Sequence, residues 1–403
     1  MSDSVVPEYP MQREAKCPFA PAAGVRTMTR EDPVGKVRIW DGSEPWFITR
    51  HADQRALLND PRLSIEETRP GFPHMTRGRA EAAKHTPPLI TNTDAPEHTR
   101  LRRTVNAPFM VKRVEALRPR IQEVFDGLID DMLAGPKPAD LVQAIGLAVP
   151  TIVITELLGV PYADHKFFQT NSSRTISHES TPEEAAAAGG ALAAYLGELL
   201  QQKMAEPAGD VLSEMGARVR AGEMTASEAV HMGVAILIAG HETSASMISL
   251  GTLALLRNPD QLALLRESDD PKLVANAVEE LLRYLTIVHT GIRRIASEDI
   301  ELRGRTIRAG DGIIFDLSGA DWDAEEFPEP EKLDLTRTAR QHHAFGYGVH
   351  QCLGQSLARV ELQIAYGTLY KRIPTLALAV PFEDVEFAME GVAYGLKSLP
   401  VTW

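Results

Sequence analysis

The stretch HHAFGYGVHQCLGQSLAR, residues 342–359, holds Cys352, one of only two cysteines in the 403-residue chain. Gly346, Gly348 and Gly354 flank it. Glycines at that density let backbone approach something flat or bulky and permit positive φ. A helical pattern begins near Leu353, so a thiolate at Cys352 would sit where free N–H groups and the helix dipole favour negative charge. Phe345 would supply an apolar wall that limits water access and tunes a metal–sulfur bond. Three chemistries stay open on these residues: a packed small hydrophobe, a metal ligand, or a nucleophile. A zinc site from His342, His343, His350 and Cys352 lacks the usual spacing and a second ligand pair. A nucleophile needs a base and an orienting group that the stretch does not specify.

Three other sets of residues could do chemistry. In A239-G240-H241-E242-T243 the Thr243 hydroxyl can bond back to the Ala239 carbonyl. Ala239 and Gly240 are small enough for a ligand and water to pack there, and Glu242 beside a hydroxyl can relay protons. His98 and Arg102 fall on one helix face at i, i+4, where both can bond an anionic carboxylate. Glu280 and Arg283 lie at i, i+3, the spacing of a helical ion pair.

These residues need elements to hold them. Thr225 and Glu228 form a T-x-x-E capping box, and Asn258-Pro259 closes the pattern they open. Residues 225–257 read as one helix of about 50 Å at 1.5 Å per residue. Its middle is apolar on every face, so it should cross the core. Further helical readings cover 96–106, 112–134, 140–158, 183–205 and 271–285; one more begins near 353 and stops before Pro374. Residues 36–50 read as a strand pair around Asp41-Gly42, with strand-like pieces near 292–303 and 305–317. Residues 61–95 and 318–344 read as irregular.

Hydrophobic residues are 44% and charged residues 24% of the chain, a globular balance without signs of disorder, collagen or coiled coil. The N-terminus lacks an apolar core of signal-peptide length, and the run GVAILIAG (233–240) is far short of a membrane span. A cytoplasmic protein without membrane contact is expected. Two cysteines argue against a disulfide framework. A net charge of −13 disfavours nucleic acid as a partner. The balance reverses locally: Arg100, Arg102, Arg103, Lys112, Arg113, Arg118 and Arg120 stand against the single acid Glu115. Such a segment is a docking face for an acidic partner, or a solvated helix face. No linker or internal repeat divides the chain, which reads as one large, mostly helical domain.

The pattern F345-x-x-G348-x-H350-x-C352-x-G354 resembles the haem-binding signature of the cytochrome P-450 family, in which a Cys thiolate ligates haem iron. The pentapeptide 239–243 resembles that family's oxygen-activation motif. E280-x-x-R283 with Arg337 resembles its buried structural triad. The resemblance implies a mainly α fold, a single triangular cytochrome P-450 domain over 1–403 with a few short sheets. Residues 1–30 would be an extended arm, and haem b would lie between helix 225–257 and the helix after Cys352. It implies Cys352 as the axial iron ligand. His98, Arg102, Arg294 and His350 would hold haem propionates, with Ala239, Gly240, Phe345, Gly346 and Gly354 as further haem contacts. Glu242 and Thr243 would be catalytic.

The ending LPVTW, together with the stretches ILIAGHET and FGYGVHQCLGQ, resembles the soluble actinobacterial branch of that family. The implied activity is a monooxygenase inserting one atom of dioxygen into a lipophilic macrolide or polyketide, terpenoid, steroid or flavonoid-like molecule, by hydroxylation or epoxidation. Electrons would come from NAD(P)H through a ferredoxin reductase and a ferredoxin. The ferredoxin would dock on the Cys352 side near Arg100–Arg120, on a monomeric enzyme. Oxidative coupling, or non-catalytic binding of haem or a small molecule, is the alternative. Leu89, Ile90, Ala235, Ala239, Ile287, His289, Thr290 and Ile292 would line the substrate pocket. Two places depart from the usual pattern: Asp321-Trp322-Asp323 stands where relatives carry Asn-Arg-Asp, and His241 fills a variable position where a smaller residue is common.

Overall fold

The strand Gly312–Phe315 reads GIIF and is buried along its whole length. Successive side chains of a strand point to opposite faces, so a continuous apolar run requires both faces to be covered. Ile313 and Phe315 do join a core with Val34, Ile48, Leu57 and Ile307, while Ile314 joins another with Tyr9, Val25, Val37 and Phe47. This strand is the centre of a five-stranded sheet in the order Val34–Lys36, Trp46–Ile48, Gly312–Phe315, Ile292–Ala296, Leu63–Ser64. Trp46–Ile48 runs parallel to Gly312–Phe315 and the other pairs are antiparallel.

The computed structural model describes residues 6–176, 180–389 and 393–403. The chain divides into two units. The first, residues 1–99 and 279–352, holds this sheet and the cysteine loop. The second, residues 100–278 and 353–403, is helical with two small sheets. Its axis is the helix Ala226–Arg257, capped by a complete Thr225/Glu228 box and ended at Asn258. Every residue from Met247 to Leu255 is buried. Within the second unit it packs against Ala148–Leu158, Pro182–Ala205 and Gln355–Arg372. Its most apolar window reaches the mean hydropathy of a membrane-spanning helix, which the run 233–240 alone does not reveal, and 56% of that window is buried inside the protein.

The mainly helical reading holds, with local differences. Residues 23–31 are not extended but form a helix, because Val25 and Thr29, one turn apart, are both buried. The segment read as helix 140–158 starts as a strand at Ala139–Asp140, winds through a π turn at Val142–Gly146 and becomes α-helical at Ala148–Leu158. Gly146 has no room for a side chain: a Cβ there would lie 2.5 Å from the Ser249 hydroxyl of the long helix. The stretch 61–95 contains a helix, Arg77–Ala83, started by a Thr76 cap.

Candidate functional site

The cysteine loop is shaped by two glycines and one carbonyl. Gly346 and Gly348 adopt φ of 69° and 76°, conformations that L side chains resist. A Cβ on Gly348 would also lie 2.4 Å from the Leu58 carbonyl oxygen, so only glycine fits there. The Gly346 amide donates to the His343 carbonyl (2.7 Å), and the Cys352 amide donates to the Phe345 carbonyl (2.9 Å). Gly354 differs from the sequence reading: its φ is −83°, and it caps the helix Gln355–Arg372 instead of supplying a left-handed turn. Cys352 is exposed. A thiol packed merely as a small hydrophobe would be buried, so that reading falls.

The neighbouring histidines are committed elsewhere. His342 Nε2 meets Glu279 at 3.2 Å, and His343 is stacked on His51 with ring centroids 4.0 Å apart. Burial pushes the His343 imidazole down to about 2, so it is neutral. Among the described residues no group of three or more His, Cys, Asp or Glu side chains is arranged to hold a metal ion, which removes the zinc reading.

His350 Nδ1 lies 3.2 Å from the Ile90 carbonyl, and its ring centroid is 4.2 Å from that of His98. His98 is 4% exposed at the start of helix Glu97–Val105, which also carries Arg102 one turn later. Asp94 fixes that start by accepting bonds from the Ser64 hydroxyl and the Ile65 amide of the sheet edge. Arg294, on strand Ile292–Ala296, is 5% exposed. Its Nη1 bonds only the neighbouring Arg293 carbonyl (2.7 Å), and among the described residues no carboxylate lies within ion-pairing distance. Burial pulls its guanidinium down to about 10. Burial and the charge of Arg294 together push His350 down to about 4. A desolvated guanidinium beside two imidazoles is a set of donors that suits an incoming carboxylate. The donor set therefore fits a haem propionate, and an exposed thiol ahead of a helix N-terminus fits a thiolate ligand.

Beneath the loop, Arg283 and Glu280 are both 0% exposed and paired bidentately at 2.7 and 2.8 Å. Arg283 also donates to the carbonyls of Asp321 (2.9 Å) and Pro330 (3.0 Å), and Arg337 Nε reaches Glu280 at 3.2 Å. Asp321 accepts from the Thr286 hydroxyl (2.8 Å) and from the His343 amide (2.6 Å). The Trp322 indole donates to the Tyr284 carbonyl (3.0 Å), and Asp323 accepts from the His51 amide (3.1 Å). The departure Asp321-Trp322-Asp323 is thus a buried node that ties the Arg283 helix to the base of the cysteine loop. Sequence reading left it without a role because its partners are 22 to 272 residues away.

On the long helix the Thr243 hydroxyl donates to the Ala239 carbonyl at 2.7 Å, and Gly240 packs on Ile154, 3.0 Å from where a Cβ would stand. Glu242 is half-buried, and burial holds its carboxyl above the usual range. His241 is 2% exposed with neither ring nitrogen bonded among the described residues, and burial alone pushes it down to about 4. It is a neutral packed ring. Of the residues expected at the substrate, Ile90 and Ile287 are buried, while Leu89, Ala235, His289, Thr290 and Ile292 are half-buried. Ala239, one turn beyond Ala235 on the long helix, is exposed. Thr286, at φ 32°, turns the chain from helix Pro271–Leu285 into the stretch 287–292.

The basic segment is mostly neutralised from within. Arg100 pairs with Glu228, Arg113 with Glu214, Arg118 with Glu115 (2.8 Å) and Arg120 with Glu156 (2.6 Å). Arg103 and Lys112 are exposed and carry no ion pair among the described residues, and Met110 and Val111 beside them are 58% and 65% exposed.

The sequence profile of the cytochrome P-450 family matches residues 200–376. The cytochrome P-450 GfsF of Streptomyces halstedii is 53% identical over 399 residues, 98% of this chain and 96% of its own. The crystal structure of GfsF matches with a TM-score of 0.94, covering 99% of this chain and 100% of that one. Pentalenic acid synthase of Streptomyces avermitilis is 45% identical, covering 98% of this chain and 97% of its own. The mycinamicin VIII C21 methyl hydroxylase MycCI of Micromonospora griseorubida, solved with mycinamicin VIII bound, is 39% identical with a TM-score of 0.92, over 99% of this chain and 100% of that one. The chain belongs to the cytochrome P-450 family. It is an oxidoreductase of the actinobacterial branch, a haem b monooxygenase that takes a small lipophilic substrate and dioxygen.

Proposed function

We propose that the protein inserts one atom of dioxygen into a macrolide- or terpenoid-like molecule at a haem held by Cys352. The observation that carries the reading is the exposed Cys352 on its two-glycine loop, in the same unit as the buried Arg294 and His98 and the half-buried His350. Bound haem supplies dioxygen activation, and a Cys ligand strengthens the push of electron density that O–O cleavage needs. Arg294, Arg102, His98 and His350 take the propionates. Phe345, Gly346 and Gly354 shape the loop beside the thiolate; the small, exposed Ala239 leaves space on the long helix, while Gly240 lets that helix pack closely on Ile154.

Glu242 holds a proton more readily than an ordinary carboxyl because it is half-buried, and Thr243 offers a hydroxyl one residue on. Together they would hold and pass on protons at the Glu242 carboxyl and the Thr243 hydroxyl. Leu89, Ile90, Ala235, Ile287, His289, Thr290 and Ile292 line the substrate side, mostly apolar with two groups able to orient a polar substituent. The macrolide and terpenoid classes are favoured by the mycinamicin hydroxylase and pentalenic acid synthase among the relatives.

Electrons come from NAD(P)H by way of a ferredoxin reductase and a ferredoxin. An acidic ferredoxin docks where unpaired cations remain, at Arg103 and Lys112 with Met110 and Val111 as the apolar step between them. The enzyme acts as a cytoplasmic monomer. Turnover of mycinamicin VIII and of a panel of macrolide aglycones and terpenoids under 18O-labelled dioxygen tests the reading. One labelled atom per product is expected; products without label would contradict it.

A further inference from the structure

Glu361 sits in the middle of helix Gln355–Arg372 and is 2% exposed. A carboxyl so deep in a protein is normally paired with a cation or a metal. Among the described residues its one polar partner is the Ser244 hydroxyl, at 2.5 Å, on the long helix directly after Thr243. Burial pushes the carboxyl up to about 7, and only the Ser244 bond opposes that push.

One and a half turns further along the same helix, the Tyr366 hydroxyl donates to the Met247 carbonyl at 2.5 Å. Gly251 makes that contact possible, since a Cβ there would lie 2.0 Å from the Tyr366 oxygen. The helix that begins three residues after Cys352 therefore grips the long helix by two side chains, at Ser244 and at Met247. The grips fall one and four residues after Thr243, the second just over one turn away. Two directional hydrogen bonds on one helix add to close packing a fixed rotation and rise at the points they hold.

We infer that Glu361 is a positioning residue for oxygen activation: through Ser244 it fixes the rotation of the turn that presents Glu242 and Thr243, and Tyr366 fixes its height. The inference rests on the assignment of proton transfer to Glu242 and Thr243. Glu361 touches neither residue. It acts by being an acceptor at a fixed place, so an amide oxygen in that place serves as well as a carboxylate.

Haem-loaded wild type, Glu361→Leu, Glu361→Gln and Thr243→Ala test it, with 7-ethoxycoumarin as the turnover probe. In Glu361→Leu, amide exchange across residues 240–248 should rise about tenfold as the bond is lost. Product per reductant consumed should fall about three- to tenfold through misplacement of the turn, with peroxide released in its place. Peroxide-driven turnover, which needs no proton delivery from the turn, should match wild type. Glu361→Gln should restore both exchange and yield. Wild-type exchange in Glu361→Leu would overturn the inference, whatever the probe's turnover. A Glu361→Gln variant as impaired as Glu361→Leu would overturn it too, because the carboxyl's proton would then be the active element. If Thr243→Ala alone releases peroxide, only the Glu361 inference fails; if neither variant does, the assignment of Thr243 fails with it.

Discussion

The same carboxyl makes a stability prediction with a definite sign. Glu361 has a folded-state pKa of about 7 against an ordinary 4.5. The folded chain thus holds this proton more tightly than the unfolded chain. Below about pH 4.5 the group is protonated in both states and costs nothing. As pH rises from about 4.5 to about 7 the unfolded chain ionises while the folded chain resists, and stability is lost. Above about pH 7 the loss levels off at about 3 kcal/mol, from 1.36 kcal/mol for each of the roughly 2.5 pH units between the two values. Glu361→Gln keeps an acceptor for Ser244 and cannot ionise. It should therefore stabilise the haem-loaded protein by about 3 kcal/mol at pH 8 and by less than about 1 kcal/mol at pH 5. Thermal unfolding followed by circular dichroism at the two pH values reads the difference. An equal gain at both pH values, or a loss at pH 8, would refute the argument from burial.

Further outcomes follow from the geometry of single residues. Arg283→Leu strips the buried Glu280 of its bidentate partner, leaving it the 3.2 Å contact with Arg337, and leaves the Asp321 and Pro330 carbonyls without their donor. The cost of about 3–5 kcal/mol is a large part of a typical total stability, so haem content after purification should collapse; full occupancy would show that the network is dispensable. Arg103→Glu with Lys112→Glu should raise the KM for ferredoxin about tenfold at low salt and leave peroxide-driven turnover unchanged. Equal loss in both assays would remove the docking surface. Thr243→Ala should keep consuming reductant while releasing peroxide, and unchanged coupling would count against its role. Gly348→Ala forces a Cβ onto the Leu58 carbonyl and should lower haem retention; wild-type retention would mean the loop is softer than its dihedral angles indicate.

How much of this was legible in the sequence depended on the range of the interaction. The cysteine loop is written in glycines and an aromatic at fixed spacing, because each glycine answers a local backbone demand. The long helix announced itself by Thr225, Glu228 and Asn258-Pro259, all local signals. The Glu280–Arg283 pair was readable as a helical spacing, while its burial was not. The Ser244–Glu361 bond spans 117 residues, and a glutamate in mid-helix reads as a solvent-facing residue until the partner helix is in place. The ion pairs of the basic segment were hidden for the same reason: Glu228 and Glu214, which neutralise Arg100 and Arg113, lie 128 and 101 residues away. The helices His51–Leu57 and Val211–Arg220 escaped notice because they are short.

The central claim is that Cys352 is the thiolate ligand of the haem. A reduced, carbon monoxide-bound difference spectrum of the purified protein, set against Cys352→Ser, tests it most directly. A strongly red-shifted Soret band that disappears in the variant is the expected result. A band of the kind given by histidine ligation, surviving the substitution, would contradict it.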